Sequence, residues 1–262
     1  MINTLNLLNT RVARGACCVA ILATAACGTK EASGPLEPSG PTGRVRFVNL
    51  ITDPTRNPVN AILERVPFGV KLGYTGSTPS SLPAPNTANY SAIYAGDRNL
   101  VLKKTADTTV TVASLTFNVA ANADVTVYAI GGTNGVAVTQ FLATDDNTKV
   151  ASGATRLRIV NLSPAAGSVD VFITAPNADL STATPVASGV AEPGASAYVT
   201  SVTPGTYQVR VVPAGTAPAN RGSSVVASIT SLGLTAGAAR TIVIADKAAG
   251  GSPSTAFVLT DQ

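Results

Sequence analysis

The chain has 262 residues, 45% of them hydrophobic and only 12% charged, with 23 Gly and 17 Pro but no triplet period. This excludes a disordered chain and a collagen, and the length suits one large or two ordinary domains. The complete lack of His removes Ser-His-Asp and Cys-His catalysis and every His-ligated metal site, so no enzymatic centre, metal or cofactor is expected.

Residues 1–27 read as an export signal. Arg11 and Arg14 form a basic start without an acidic residue, and Gly15 to Ala26 is an uncharged, small and apolar run. It has the length of a signal core and is too short to cross a bilayer as a helix. The run ends in Ala25-Ala26-Cys27, which resembles a bacterial lipoprotein signal, where the Cys is diacylated on sulfur and becomes the mature N-terminus. Cys27 is therefore the candidate lipidation residue, although Thr24 stands where a branched apolar residue is usual. A cut at the Ala23-Thr24-Ala25 pattern is the competing reading, giving a soluble secreted or periplasmic protein. Cys17, Cys18 and Cys27 are the only cysteines, so the body holds no disulfide and no Cys-based metal site or nucleophile.

Residues 28–43 (GTKEASGPLEPSGPTG) carry one Leu among Gly, Ser, Pro, Thr and charges, and predict a flexible tether. Without Arg11 and Arg14, the 18 basic and 14 acidic residues leave a net charge of only +2. The remaining Lys and Arg are scattered, with no basic stripe interleaved with aromatics, so no nucleic-acid partner is expected.

An internal repeat organises the rest. RVRFVNL at 44–50 returns as RLRIVNL at 156–162, SLTFNVAANADVTVYAIGG at 114–132 as SLGLTAGAARTIVIADKAAG at 231–250, and FLATDD at 141–146 as FVLTDQ at 257–262. Three matches in one order predict a duplication: a first domain over 44–147, a linker over 148–154 and a second domain over 155–262. Short runs rich in Val, Ile, Thr, Tyr and Phe alternate with polar residues between Gly, Pro, Asn and Asp clusters. The fold class is all-β, two tandem antiparallel Ig-like β-sandwich domains. In the first strand of each copy, alternation sends Val45 and Phe47, or Leu157 and Ile159, to the core. It sends Arg44 and Arg46, or Arg156 and Arg158, to water.

The second copy carries a further pattern. Arg156 to Asn161 runs into Leu162-Ser163-Pro164-Ala165-Ala166-Gly167 and Val169-Asp170-Val171, followed by Pro204-Gly205-Thr206-Tyr207 and Pro213-Ala214-Gly215. This resembles the bacterial domain-of-unknown-function family 4397 (DUF4397), over nearly all of 155–262 and more weakly over 44–147. The resemblance implies envelope or secreted β-sandwich domains, often in tandem behind an export signal, and no activity. The family often has His before the turn, where this chain has Asn49 and Asn161. The first copy changes the turn to Leu50-Ile51-Thr52-Asp53-Pro54 and places Asn60 at the Asp170 position.

Carboxylates are the only acid/base candidates, and Glu64, Asp97, Asp124, Asp170, Glu192 and Asp246 lie far apart in sequence without a glycosidase pairing. They read as turn and surface residues, with Asp170 pointing away from the core or bonding the Ser163-Pro164 turn. Asp145-Asp146-Asn147 has oxygen ligands for calcium but lacks the EF-hand spacing, and reads as a turn. Gly131 to Gly135 follows a strand without the Lys-Ser/Thr and helix of a phosphate loop, and reads as a hairpin. Tyr74, Tyr90 and Tyr94 are the only candidate sugar platforms in a chain without Trp.

The expected function is that of a non-enzymatic cell-envelope lipoprotein with an adhesion, binding or structural role. Its partners would be the outer membrane or cell surface through the lipid anchor, and an envelope protein or polysaccharide. The alternative is a carbohydrate- or polymer-binding or processing accessory domain with a cryptic carboxylate site.

Overall fold

The computed structural model describes residues 40–79 and 89–261; Cys17, Cys18, Cys27 and nearly all of the tether lie outside the described residues, as does part of the Pro-rich loop of the first copy. The first half builds β1 (Thr42–Ile51), β2 (Val59–Leu63), β3 (Val66–Leu72), β4 (Ser91–Tyr94), β5 (Gly96–Lys104), β6 (Asp107–Val119), β7 (Asp124–Gly131) and β8 (Val138–Asp145). The second builds β9 (Arg156–Leu162), β10 (Val169–Thr174), β11 (Ala187–Val190), β12 (Gly194–Ala195), β13 (Gly205–Pro213), β14 (Ala227–Leu234), β15 (Ala239–Ala245) and β16 (Thr255–Thr260). The all-β expectation holds.

Sheet order repeats strand for strand. Sheets β4-β1-β7-β8 and β3-β2-β5-β6 face each other in the first half, and β12-β9-β15-β16 and β11-β10-β13-β14 in the second. Most pairs are antiparallel, as expected, but β1 runs parallel to β7 and β9 parallel to β15. A chain that crosses to the other sheet and returns has the long connection a parallel pair requires.

The two halves also share one irregularity. Pairing slips in β2 between Val59 and Ala61, and in β10 between Val169 and Val171. At each slip a side-chain oxygen accepts a backbone N–H from the neighbouring strand: Asn60 from Lys71 at 3.0 Å, and Asp170 from Gly189 at 2.8 Å. Lys71 and Gly189 both sit at positive φ, 52° and 60°. The polar side chain thus closes a β-bulge in each half. Asp170 lies on the face opposite Val169 and Val171, away from the core as one of the two sequence readings had it, but it is largely buried there and bonds β11 and not the Ser163-Pro164 turn.

Each sandwich has its own core. Val45, Phe47, Leu100, Leu102 and Val127 fill the first, and Leu157, Ile159, Val209, Val211 and Ile242 the second, so the four apolar residues assigned by alternation do face inward. The opposite face of the same strands is covered too. Val48, Leu50, Tyr128 and Ala143 of the first half pack against Val160, Leu162, Val243, Ala245 and Leu259 of the second. The described residues therefore form one compact unit, with two inner sheets meeting back to back.

That seam overturns the expectation that the arginines face water. Arg44 remains exposed and pairs with Asp124, but Arg46 and Arg158 are only 2% and 3% exposed, and Arg156 is buried as well. Alternation separated the two faces of β1 and β9 correctly; the second face meets protein instead of solvent. Arg46 reaches Asp261 of the second half at 2.7 Å, and Arg158 reaches Asp145 of the first. Arg46 also donates to the Thr260 carbonyl at 2.8 Å, and Arg158 to the Thr144 carbonyl at 2.9 Å. Thr126 and Thr241 each donate to the aspartate of their own half, at 2.5 Å and 2.7 Å. Tyr90 lies under Arg46 with 4.6 Å to the ring centroid, and Tyr198 under Arg158 with 5.2 Å. Burial opposes charge on both guanidiniums, but surrounding tyrosines and aspartates outweigh it, and both pKa values lie above the ordinary one.

Removing one partner of a buried pair strands the other charge, which costs about 3–5 kcal/mol. Asp261→Ala should lower unfolding stability by about that amount in urea titration, and Arg46→Met with Asp261→Leu should recover most of it. Residues 155–262 alone are expected to fold and to self-associate. Arg158 and Asp261 of one copy would meet Asp261 and Arg158 of another across the same face. Sedimentation velocity should show a dimer; a folded monomer with this face bare would contradict the seam.

Candidate functional site

The ends of the inner strands leave a cleft of about 420 Å³ where the two halves meet. Its apolar floor is Leu50, Ile130, Leu162 and Ala245, from the ends of β1, β7, β9 and β15. One wall is the turn from β7 to β8, including Gly132, Thr133, Val136 and Ala137; the other carries Pro164, Glu192, Pro193 and Asp246.

Local chemistry fixes both walls. Gly131 to Gly135 forms the hairpin connection expected from the sequence, with Gly131 and Gly132 at φ 87° and 94°. Thr52 ties this turn to β1 by donating to the Gly131 carbonyl at 3.0 Å and by a contact with the Thr133 hydroxyl. The segment after β15 closes against it: Ala249 N–H donates to the Thr52 carbonyl at 2.9 Å. Gly250, at φ 82°, lies so near Thr133 that a Cβ would come within 2.8 Å of the threonine Oγ1. A side chain there would clash and also strain the backbone.

Asp246 organises the second wall. Its Oδ1 accepts from Ser163 Oγ at 2.6 Å and Ala165 N–H at 3.1 Å, and its Oδ2 from Gly251 N–H at 3.2 Å. The Tyr74 hydroxyl donates to its carbonyl across the seam. Glu192, on the connection between β11 and β12, has no hydrogen bond or ion pair among the described residues. Burial, and then the charge of Asp246, hold its carboxyl above the ordinary value.

Of the six carboxylates singled out in the sequence, the fold brings only Glu192 and Asp246 to one cleft. Glu64 accepts from Asn99 N–H at 2.7 Å, Asp97 from Asn118 at 2.8 Å, and Asp124 is held by Arg44 and Asn147. The Asp145-Asp146-Asn147 run does not converge: Asp145 binds Arg158, Asp146 binds Arg156 at 2.9 Å, and Asn147 turns to Asp124. A hydrogen bond from Thr148, ahead of the Arg156 charge, keeps the Asp146 carboxyl below its ordinary value. Asn49 and Asn161 are fully buried and bond backbone carbonyls, Asn49 at Leu72 and Gly73, Asn161 at Gly167 and Val190.

The tyrosines do not form a platform. Tyr90 is buried and Tyr74 packs into the seam. Tyr94, 44% exposed, borders a separate apolar groove of about 290 Å³ with Leu63, Val66, Phe68 and Ile93. The pairing of Glu192 with Asp246 had no local signal in the sequence, since 53 intervening residues separate them. The seam ions had one: the RxR and TD motifs recur in both copies, opposite in charge.

The family described as Domain of unknown function (DUF4397) matches this chain over residues 43–172. The matched stretch covers the first half and ends in β10, whereas the sequence pattern placed the stronger resemblance in 155–262. No curated protein matches the chain. Among solved structures, the family 41 carbohydrate-binding modules of streptococcal virulence factors align at 9% identity over 82% of this chain and 96% of that one, with a TM-score of 0.26. A candidate cell adhesion protein from Bacteroides uniformis aligns at 10% identity over 84% and 99%, with a TM-score of 0.23. Overlays this loose carry no weight for fold or function.

Glu192 sets a pH dependence. With its folded pKa raised, the ionised form costs stability, an effect absent below the ordinary carboxylate range and present once pH passes the folded value. Glu192→Gln should therefore be slightly stabilising at neutral pH, with the gain vanishing in acid. Thermal melts across pH check this; a loss at neutral pH would show that the ionised carboxylate has a stabilising partner.

Proposed function

We propose that this chain, which the DUF4397 family matches over residues 43–172, is a non-enzymatic, lipid-anchored envelope protein that binds a partner through the cleft between its two sandwiches. The observation that carries the reading is that both halves contribute to one open, largely apolar cleft. Its walls are held by an extensive bond network, and the fully buried Ser163 hydroxyl behind them is committed to Asp246 and Ser254. Ser163 faces no general base other than a carboxylate that also holds two backbone N–H groups, which favours binding over nucleophilic chemistry.

Placement rests on the N-terminal sequence. Residues 1–27 act as the signal, Cys27 carries the lipid, and residues 28–43 lift the head from the outer membrane or cell surface. No helix among the described residues is long and apolar enough to cross a membrane. Each buried methylene adds about 0.8 kcal/mol, so a diacylglycerol with a further acyl chain anchors firmly.

A second reading comes from Glu192 and Asp246 sharing the cleft: a polysaccharide-binding or -processing accessory role. Cleavage of a bound glycan, lost in Glu192→Gln, would favour it over pure binding. Intact mass of the exported protein is the direct test of the anchor. The expected N-terminus is Cys27 with a thioether-linked diacylglycerol, and Cys27→Ala should leave the membrane fraction or stay unprocessed. An unmodified Cys27, or a mature terminus at Ala26 or elsewhere, would contradict the anchor.

A further inference from the structure

We propose that the inter-sandwich cleft receives the ammonium group of a lysine side chain presented by a partner polypeptide. The inference rests on the reading of this cleft as a binding site and specifies what it recognises. Its lining carries two carboxylates, Glu192 and Asp246, and neither Lys nor Arg. The nearest cations are committed or point elsewhere. Arg56 pairs with Asp53 at 3.3 Å and donates to the Val136 carbonyl at 3.1 Å, on the far wall. Lys247 is next to Asp246 in sequence but is exposed and lines no part of the cleft.

Burial first, and then the nearby charge of Asp246, disfavour the ionised Glu192 carboxylate, and its raised pKa records that cost. A cation seated against Glu192 offsets it. The rest of the lining selects the kind of cation. A divalent metal needs six to eight oxygen ligands for calcium, or near-octahedral geometry for magnesium. Here Asp246 is already engaged by three internal donors, leaving Glu192 as the free carboxylate. A guanidinium would seek a planar, bidentate acceptor, whereas an ammonium is a compact charge that a single carboxylate and nearby hydroxyls satisfy. Thr52, Thr133 and Thr139 supply such hydroxyls. The floor of Leu50, Ile130, Leu162 and Ala245 suits a four-carbon stem, which buries its methylenes while its charge stays at the polar rim.

The test uses the full chain and blocked tripeptides of Gly-Lys-Gly, Gly-norleucine-Gly and Gly-acetyllysine-Gly, with binding monitored by NMR shifts of the Gly131–Thr139 and Asp246 amides. Saturable binding of the lysine peptide is expected, weakened by salt and at least tenfold tighter than either neutral peptide. Glu192→Gln should lower its affinity at least tenfold without loss of folding. Equal binding of all three peptides, no shifts with the lysine peptide, or an unaffected Glu192→Gln variant would each overturn the proposal. Ala137→Trp, which fills the cleft from an exposed wall position, separates this failure from a wider one. If envelope binding is lost in Ala137→Trp but unchanged in Glu192→Gln, the cleft remains the binding site and the lysine proposal falls. If binding survives Ala137→Trp, the cleft reading falls as well.

Discussion

Two buried ion pairs cross between the sandwiches, Arg46 with Asp261 and Arg158 with Asp145, and most of the architecture depends on them. Each arginine lies on the first strand of one half and each aspartate at the end of the last strand of the other. The contact is self-complementary in the manner of a twofold dimer, but within one chain. Neither half can satisfy these charges alone. The threonines, tyrosines and strand-end carbonyls around them supply most of the remaining donors and acceptors, with Arg158 Nε left unpaired, and this is what makes burial of four charges tolerable. Such pairs contribute less to net stability than to register. A shift of one sheet across the other would strand all four groups in an apolar seam.

The seam decides where a cleft can exist. It places the ends of β1, β7, β9 and β15 side by side, and the connections leaving these strands differ between the halves. After β7 comes a tight glycine turn; after β15 comes Asp246 and a longer segment reaching back to Thr52 and Thr133. The approximate symmetry of the sheets is broken in these connections, and the cleft opens there. Tyr128 marks another departure. It stands where the second half has Val243, and burial holds its phenol pKa above the ordinary range.

Much of the fold was legible in the sequence because β-strands report their faces through alternation. Val45, Phe47, Leu157 and Ile159 came from it directly, and the repeated RxRxVNL segments mark strands that are equivalent in the fold. Alternation does not say what covers the second face, so Arg46 and Arg158 looked solvated when they are among the most buried charges. The parallel β1–β7 and β9–β15 pairs were hidden for a related reason: parallel pairing is set by chain crossings, not by local pattern. The site was less legible still. Glu192 and Asp246 were recognised as carboxylates, but their meeting depends on a tertiary contact between connections remote in sequence. Asn60 and Asp170 were correctly matched across the copies, although their shared task, closing a bulge opposite a left-handed residue, required the structure.

Scanning calorimetry of the intact protein tests the central claim most directly. If the crossed pairs and the apolar seam join the sandwiches into one cooperative unit, a single transition should appear, with calorimetric and van't Hoff enthalpies in agreement. Two resolved transitions, each with the enthalpy of about half the chain, would show that the sandwiches unfold independently and that the seam does not hold them together.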